Sequence, residues 1–148
     1  MVQTFICYSS GEKGVEEQTN ASGAEEYRIV SEEAVSLLNH MGYTQGELEG
    51  YFVRGASWFG FFLNRTCVSI CLVYPNGANV WEIGGVYTQA DKRGNGYAKQ
   101  VVHHAAQTLL RRKLKPRYVF RSDNKASQVV AEAAGLHYIT SIEHYLVG

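Results

Sequence analysis

No run of apolar residues in this 148-residue chain approaches the roughly 20 that a membrane-crossing helix needs, so a membrane role is not expected. Excess charge is missing as well. Fourteen lysines and arginines balance fourteen aspartates and glutamates, leaving no global field to draw the chain to nucleic acid or an anionic surface. Cysteine is scarce and odd in number: Cys7, Cys67 and Cys71. Cys67 and Cys71 lie on one candidate strand about 13 Å apart by strand rise, beyond disulfide reach. Free thiols suit a reducing compartment, so a cytoplasmic protein is expected. The opening MVQTFICYSS lacks the basic start and long apolar core of a signal peptide, and no glycine follows Met1 for myristoylation. Internal repeats are absent too, and the length suits one domain spanning 1–148.

What is present is unevenly spread. Glu12, Glu16, Glu17, Glu25, Glu26, Glu32 and Glu33 crowd the first third against Lys13 and Arg28. From Lys92 to Lys125 the balance reverses, with Asp123 the one acid among many lysines and arginines. That half of the chain suits a polyanionic ligand, while Arg111–Lys115 also reads as a solvated helix end.

The hydrophobic pattern predicts an α+β layout. TFICYS is a candidate strand, and a polar stretch at about 9–26 without hydrophobic period reads as a mobile loop. YRIV is a short candidate strand. Ser31 caps a helix over EEAVSLLNHM, and Thr44 with Glu47 forms a capping box for a second helix from about Gln45 to Arg54. SWFGFFL, TCVSICLVY and NVWEIGGVYT, rich in aromatic and β-branched residues, read as strands joined by turns at Asn64-Arg65 and Pro75-Asn76-Gly77. Ala98, Val101, Val102, Ala105, Leu109 and Leu110 then form one helical stripe. RYVF is a strand. DNKASQVVAEAAG is a helix capped by Asp123 or Asn124 and ended by Gly135, and LHYITSIEHYLV is one bent strand or two.

The chemistry concentrates where the strand VWEIGGVYT hands over to a helix through TQADKRGNGYAKQ. Glycines there allow tight turns and close approach, and a helix start offers unpaired N–H groups to an anion. A Walker loop would need Lys-Ser/Thr after the glycines, but Gly96 is followed by Tyr97-Ala98. A dinucleotide fingerprint needs a third glycine and a downstream acid, and both are missing. His103 and His104 diverge by about 100° around a helix, so no metal site is expected.

Arg93, Gly96 and Ala98 instead resemble the pyrophosphate loop of the GNAT N-acetyltransferase superfamily, Arg/Gln-x-x-Gly-x-Gly/Ala. Asn124 opening a helix that ends in Gly135-Leu136 resembles that family's next helix. The resemblance spans roughly Tyr27 to Val147. It implies a mixed twisted sheet flanked by helices, with acetyl-CoA as cosubstrate and a primary amine of a small molecule or peptide as acceptor. It implies that Gly94, Asn95, Gly96, Tyr97 and Ala98 hold the pyrophosphate. Val86, Tyr87 and Thr88 would pair with the pantetheine arm, with Gly84-Gly85 seating a bulge that opens the slot. Asn124 and Ser127 complete the binding set, and Lys92 or Lys125 would meet the ribose phosphate.

A lysine-like amine, with pKa about 10.4, is neutral only about once in 2,500 molecules at pH 7, so a base helps. Glu82 is the candidate, sharing strand parity with Gly84, Val86 and Thr88. A backbone N–H near Val86 would serve a developing oxyanion. Many family members carry a tyrosine seven residues after the helix-opening asparagine to protonate the leaving thiolate. Ala131 stands at that position, and Tyr138 is the candidate substitute. A CoA-binding module without catalysis is the alternative reading. No nucleic-acid partner is expected, and the sequence leaves oligomeric state open, a homodimer included.

Overall fold

The computed structural model describes residues 2–10 and 24–145. Seven strands, β1 (Val2–Ser9), β2 (Ala24–Tyr27), β3 (Ser57–Leu63), β4 (Thr66–Pro75), β5 (Val80–Thr88), β6 (Lys115–Arg121) and β7 (His137–Tyr145), form one sheet. Its order is β2-β3-β4-β5-β6-β1-β7. All neighbours are antiparallel except β5 and β6, which are parallel and joined by a helical crossover. Among the described residues, four helices flank it: α1 (Glu32–Asn39), α2 (Gln45–Val53), α3 (Tyr97–Arg111) and α4 (Lys125–Ala133). The α+β, mixed-sheet expectation holds.

Strand alternation divides the core between the two faces. Phe59, Cys71, Val73 and Ile83 point toward α3, joining Val101, Val102, Ala105 and Leu109. Trp58, Ile70 and Leu72 point the other way, toward Leu37, Leu38 and Leu48 of α1 and α2. The local signals for the helices are met in detail. Ser31 Oγ accepts from the Ala34 N–H at 3.1 Å. The Thr44–Glu47 capping box is complete, and Leu48 is fully buried. Asn64 and Arg65 both take positive φ, 49° and 66°, to close the β3–β4 hairpin. The last candidate strand resolves as one, β7.

One boundary differs. The strand expected at YRIV lies upstream, at Ala24–Tyr27. Tertiary partners hold it there: Tyr27 stacks on Trp58 at 4.4 Å, and Glu26 bonds Ser57 Oγ and pairs with Arg112 at 2.5 Å. The indole N–H of Trp58 donates to the Ile29 carbonyl, where the chain bends. Arg112, read as part of a solvated helix end, thus ties α3 to the far edge of the sheet. The polar stretch expected as a mobile loop lies mostly outside the described residues. Among the described residues, no helix is long and apolar enough to cross a membrane.

Candidate functional site

The β5–β6 pairing stops early. It runs from Val80↔Lys115 to Ile83↔Tyr118; beyond that point β5 continues along β4 while β6 continues along β1. A bulge lies at the parting. Ile70 pairs with Tyr87 but Leu72 pairs with Gly84, so one β4 residue faces two on β5, and Gly85 takes φ +58°. The expected Gly84–Gly85 bulge is there. It also corrects the parity argument: Ile83 and Val86 both face the α3 side, so the extra residue turns Glu82 to the opposite face from Val86.

A cleft of about 490 Å³ opens on the α3–α4 side of this parting. β5 contributes Val86, Tyr87 and Thr88 to its wall. The loop after β5 contributes Lys92, Arg93, Gly94 and Gly96, and α3 contributes Tyr97 and Ala98. Asn124 and Ser127 come from the start of α4. Of the residues anticipated for the pyrophosphate and the pantetheine arm, only Asn95 stands outside the lining. Its side-chain amide turns back to the Lys92 carbonyl at 3.0 Å and braces the loop. Lys92 lines the cleft and Lys125 does not.

The loop is shaped as an anion seat. A short 3₁₀ turn, Ala90–Lys92, leads into Arg93, whose Nε donates to the Thr88 carbonyl at 3.1 Å. Gly94 and Gly96 take φ +82° and +78°, and a Cβ on either would meet no protein atom within 4 Å. Gly96 is the N-cap of α3, and no side chain caps the helix. The first intrahelical bond comes from Gln100 to the Gly96 carbonyl, leaving the donors of the first turn facing the cleft. Space beside the glycines, free donors and the helix dipole together fit a pyrophosphate. The α4 end differs: Asn124 Oδ1 accepts from the Ser127 N–H at 3.0 Å, settling the cap on Asn124. Replacing Asn124 with alanine should cost about 1 kcal/mol, a melting-temperature drop of about 2–4 °C by calorimetry.

At the inner end sits a residue the sequence did not single out. Tyr118 is 3% exposed, lines the cleft and occupies the last paired position before the strands separate. Burial pushes its hydroxyl up to about 12, partly offset by a hydrogen bond from the Ser127 side chain. Ala131 is fully buried in the same core. The signal for Tyr118 was the alternation of KPRYVFR, in which Pro116, Tyr118 and Phe120 all turn inward.

The two anticipated catalytic side chains lie elsewhere. Glu82 is buried on the opposite face, where Asn76 Nδ2 donates to its Oε1 at 2.8 Å and Arg117 forms an ion pair with it. Tyr43 and Tyr74 lie nearby, over Gly84; burial is the main cause holding both hydroxyls above their ordinary range. Tyr138 is 56% exposed on β7, its hydroxyl 2.9 Å from Ser141 Oγ, and it does not reach the cleft.

Residues 24–136 match the acetyltransferase (GNAT) family. The chain belongs to that family. Solved structures with the GNAT fold agree. An acetyltransferase of the family from Colwellia psychrerythraea superposes with a TM-score of 0.75 at 15% identity, over 97% of this chain and 56% of that one. A GNAT-family protein from Novosphingobium aromaticivorans gives the same score and identity, over 97% and 63%. A GCN5-related N-acetyltransferase from Sphaerobacter thermophilus gives 0.69 at 13%, over 95% and 50%. At these identities the likeness speaks to the GNAT fold, and the chain spans only 50–63% of these neighbours' lengths. No curated protein sequence matches it.

Proposed function

We propose that the chain is an N-acetyltransferase moving an acetyl group from acetyl-CoA to a primary amine of a small molecule or peptide. The observation that carries this reading is the uncapped start of α3. It lies beside two open glycines, in a cleft that ends where β5 and β6 part. Backbone donors from Gly94 to Ala98 would hold the pyrophosphate, each charge-assisted bond contributing on the order of 1.5–3 kcal/mol. Lys92 is the better placed of the two lysines for the ribose phosphate. Val86, Tyr87 and Thr88 carry the strand edge freed by the bulge, along which an amide-bearing arm would pair.

The bound thioester supplies the acyl group and a thiolate leaving group. We assign the proton for that thiolate to Tyr118. It is protonated at neutral pH, and the Ser127 side chain partly offsets the rise caused by burial, favouring the charged oxygen. Glu82 remains the candidate proton acceptor for the amine. It sits one residue before the last β5–β6 pair, on the face that α3 and α4 do not cover. The amine would accordingly approach from the side of Tyr43 and Tyr74, opposite the donor cleft. Ala131 favours a second reading, a CoA-binding module without turnover, and Tyr118 is the counter-argument to it.

Isothermal calorimetry tests the reading first. Acetyl-CoA should bind in the micromolar range and raise the melting temperature by mass action. Free pantetheine should bind far more weakly, because it lacks the pyrophosphate. Millimolar or absent acetyl-CoA binding would sink the proposal. Tight binding with no thiol release across a panel of amines would favour the module without turnover.

A further inference from the structure

Five of the large apolar side chains left exposed lie on the last two strands of the sheet: Val2 on β1, and Tyr138, Ile139, Ile142 and Tyr145 on β7. Among the described residues, β7 pairs with β1 on one side only, and every one of its nine residues is exposed. A terminal strand normally carries lysine or proline, or is very short, so that it does not template another strand. β7 is long for an edge and has no lysine, arginine or proline.

Its pattern is also self-complementary. From Ile139 to Tyr145 the residues run apolar, polar, polar, apolar, polar, polar, apolar, the same in both directions. Antiparallel pairing of two such strands about a two-fold axis at Ile142 would set Ile142 against its own copy and Ile139 against Tyr145. Thr140 would face His144, and Ser141 would face Glu143. Within Ile139–Tyr145, every apolar residue meets an apolar one on the same face. The one carboxylate of each strand meets a hydroxyl instead of a second carboxylate. The pairing with β1 is regular from Thr140 to Tyr145 and shifts register only beside Ile139, so that stretch can present a straight edge. An isologous two-fold contact is the commonest route to a dimer.

We propose that β7 joins two copies of this chain, edge to edge, into one continuous sheet with its two-fold axis at Ile142. The surface is distinct from the cleft, so the inference stands or falls independently of the acetyl-transfer reading.

Sedimentation equilibrium across low to high micromolar concentrations should return twice the mass of one chain. Ile142→Lys should weaken the dimer at least tenfold, about 1.4 kcal/mol, by burying two like charges against each other. Ile142 is 40% exposed, so the monomer should keep its fold, checked by circular dichroism. Cysteine cross-linking fixes the register. Facing residues in an antiparallel pair have Cα atoms about 4.5–5.5 Å apart, within disulfide reach. Ile142→Cys should therefore form a covalent dimer under mild oxidation. Thr140→Cys, on the same face but four residues out of register, leaves its thiols about 13 Å apart and should not. A single-chain mass at every concentration overturns the proposal. So does a dimer indifferent to Ile142→Lys, or equal cross-linking of both cysteine variants. Capture of a different strand-bearing protein by a monomeric chain would likewise overturn it.

Discussion

Tyr118→Phe should lower turnover roughly 30-fold at pH 7 while leaving acetyl-CoA affinity within about threefold. The magnitude follows from the leaving group. A thiol of pKa about 8.5 departing as thiolate at pH 7 costs about 2 kcal/mol that a proton donor would recover. The same arithmetic sets the pH dependence. The deficit should be largest at low pH and shrink as pH approaches about 8.5, where the thiolate no longer needs the proton. The hydroxyl itself, held up to about 12 by burial, stays protonated throughout that range. A purely structural tyrosine would give no such convergence. Ser127→Ala should act in the same direction more weakly, because the Ser127 side chain favours the charged tyrosine oxygen. Tyr138→Phe is the contrast: its hydroxyl is exposed and bonded to Ser141, so it should change turnover less than about threefold. Steady-state thiol release for the three variants decides the matter. A binding-neutral collapse in Tyr138→Phe with little change in Tyr118→Phe would reverse the assignment.

Gly96→Val should weaken acetyl-CoA at least tenfold, about 1.4 kcal/mol. Two effects must be separated. The first is backbone strain, since a β-branched residue at φ +78° costs about 1–2 kcal/mol whatever surrounds it. The second is obstruction of the ligand: the added side chain points into space that no protein atom claims. Gly77 supplies the control. It takes φ +99° in the β4–β5 turn, its Cβ would also meet nothing, and it lies away from the cleft. Gly77→Val should lose comparable thermal stability with no change in affinity. If Gly96→Val binds acetyl-CoA as the parent does, the open glycines are there for the turn alone.

Much of this was legible from local chemistry. The Thr44–Glu47 box, a cap at Asp123 or Asn124 and the glycine loop announce themselves because each depends on residues within four positions of one another. β2 did not, because Ala-Glu-Glu-Tyr has no apolar alternation of its own. It becomes a strand through Trp58, Ser57 and Arg112, which lie far along the chain. The facing of Glu82 was misjudged for a related reason. Strict alternation carries over a strand only until a bulge, and the glycines that signalled the bulge also reverse the count. Tyr118 was one of ten tyrosines; the alternation of KPRYVFR turns it inward, but only the point where β5 leaves β6 gives that position a role.

The position of β1 between β6 and β7 has a consequence for how the molecule is made. Phe5 pairs with Arg121 on one side and Ile142 on the other, so among the described residues β1 is seated by two strands that lie far later in the chain. On a ribosome, β3 through β5 can zip together as each hairpin emerges. β1 must wait, carrying Phe5, Ile6 and Tyr8, until β6 and β7 have left the exit tunnel. Such distant closure slows folding and lengthens exposure to wrong partners. Removing β1 should therefore do more than delete one strand. It would leave β6 and β7 with no strand between them, and late assembly, not local helix formation, is where yield would be lost.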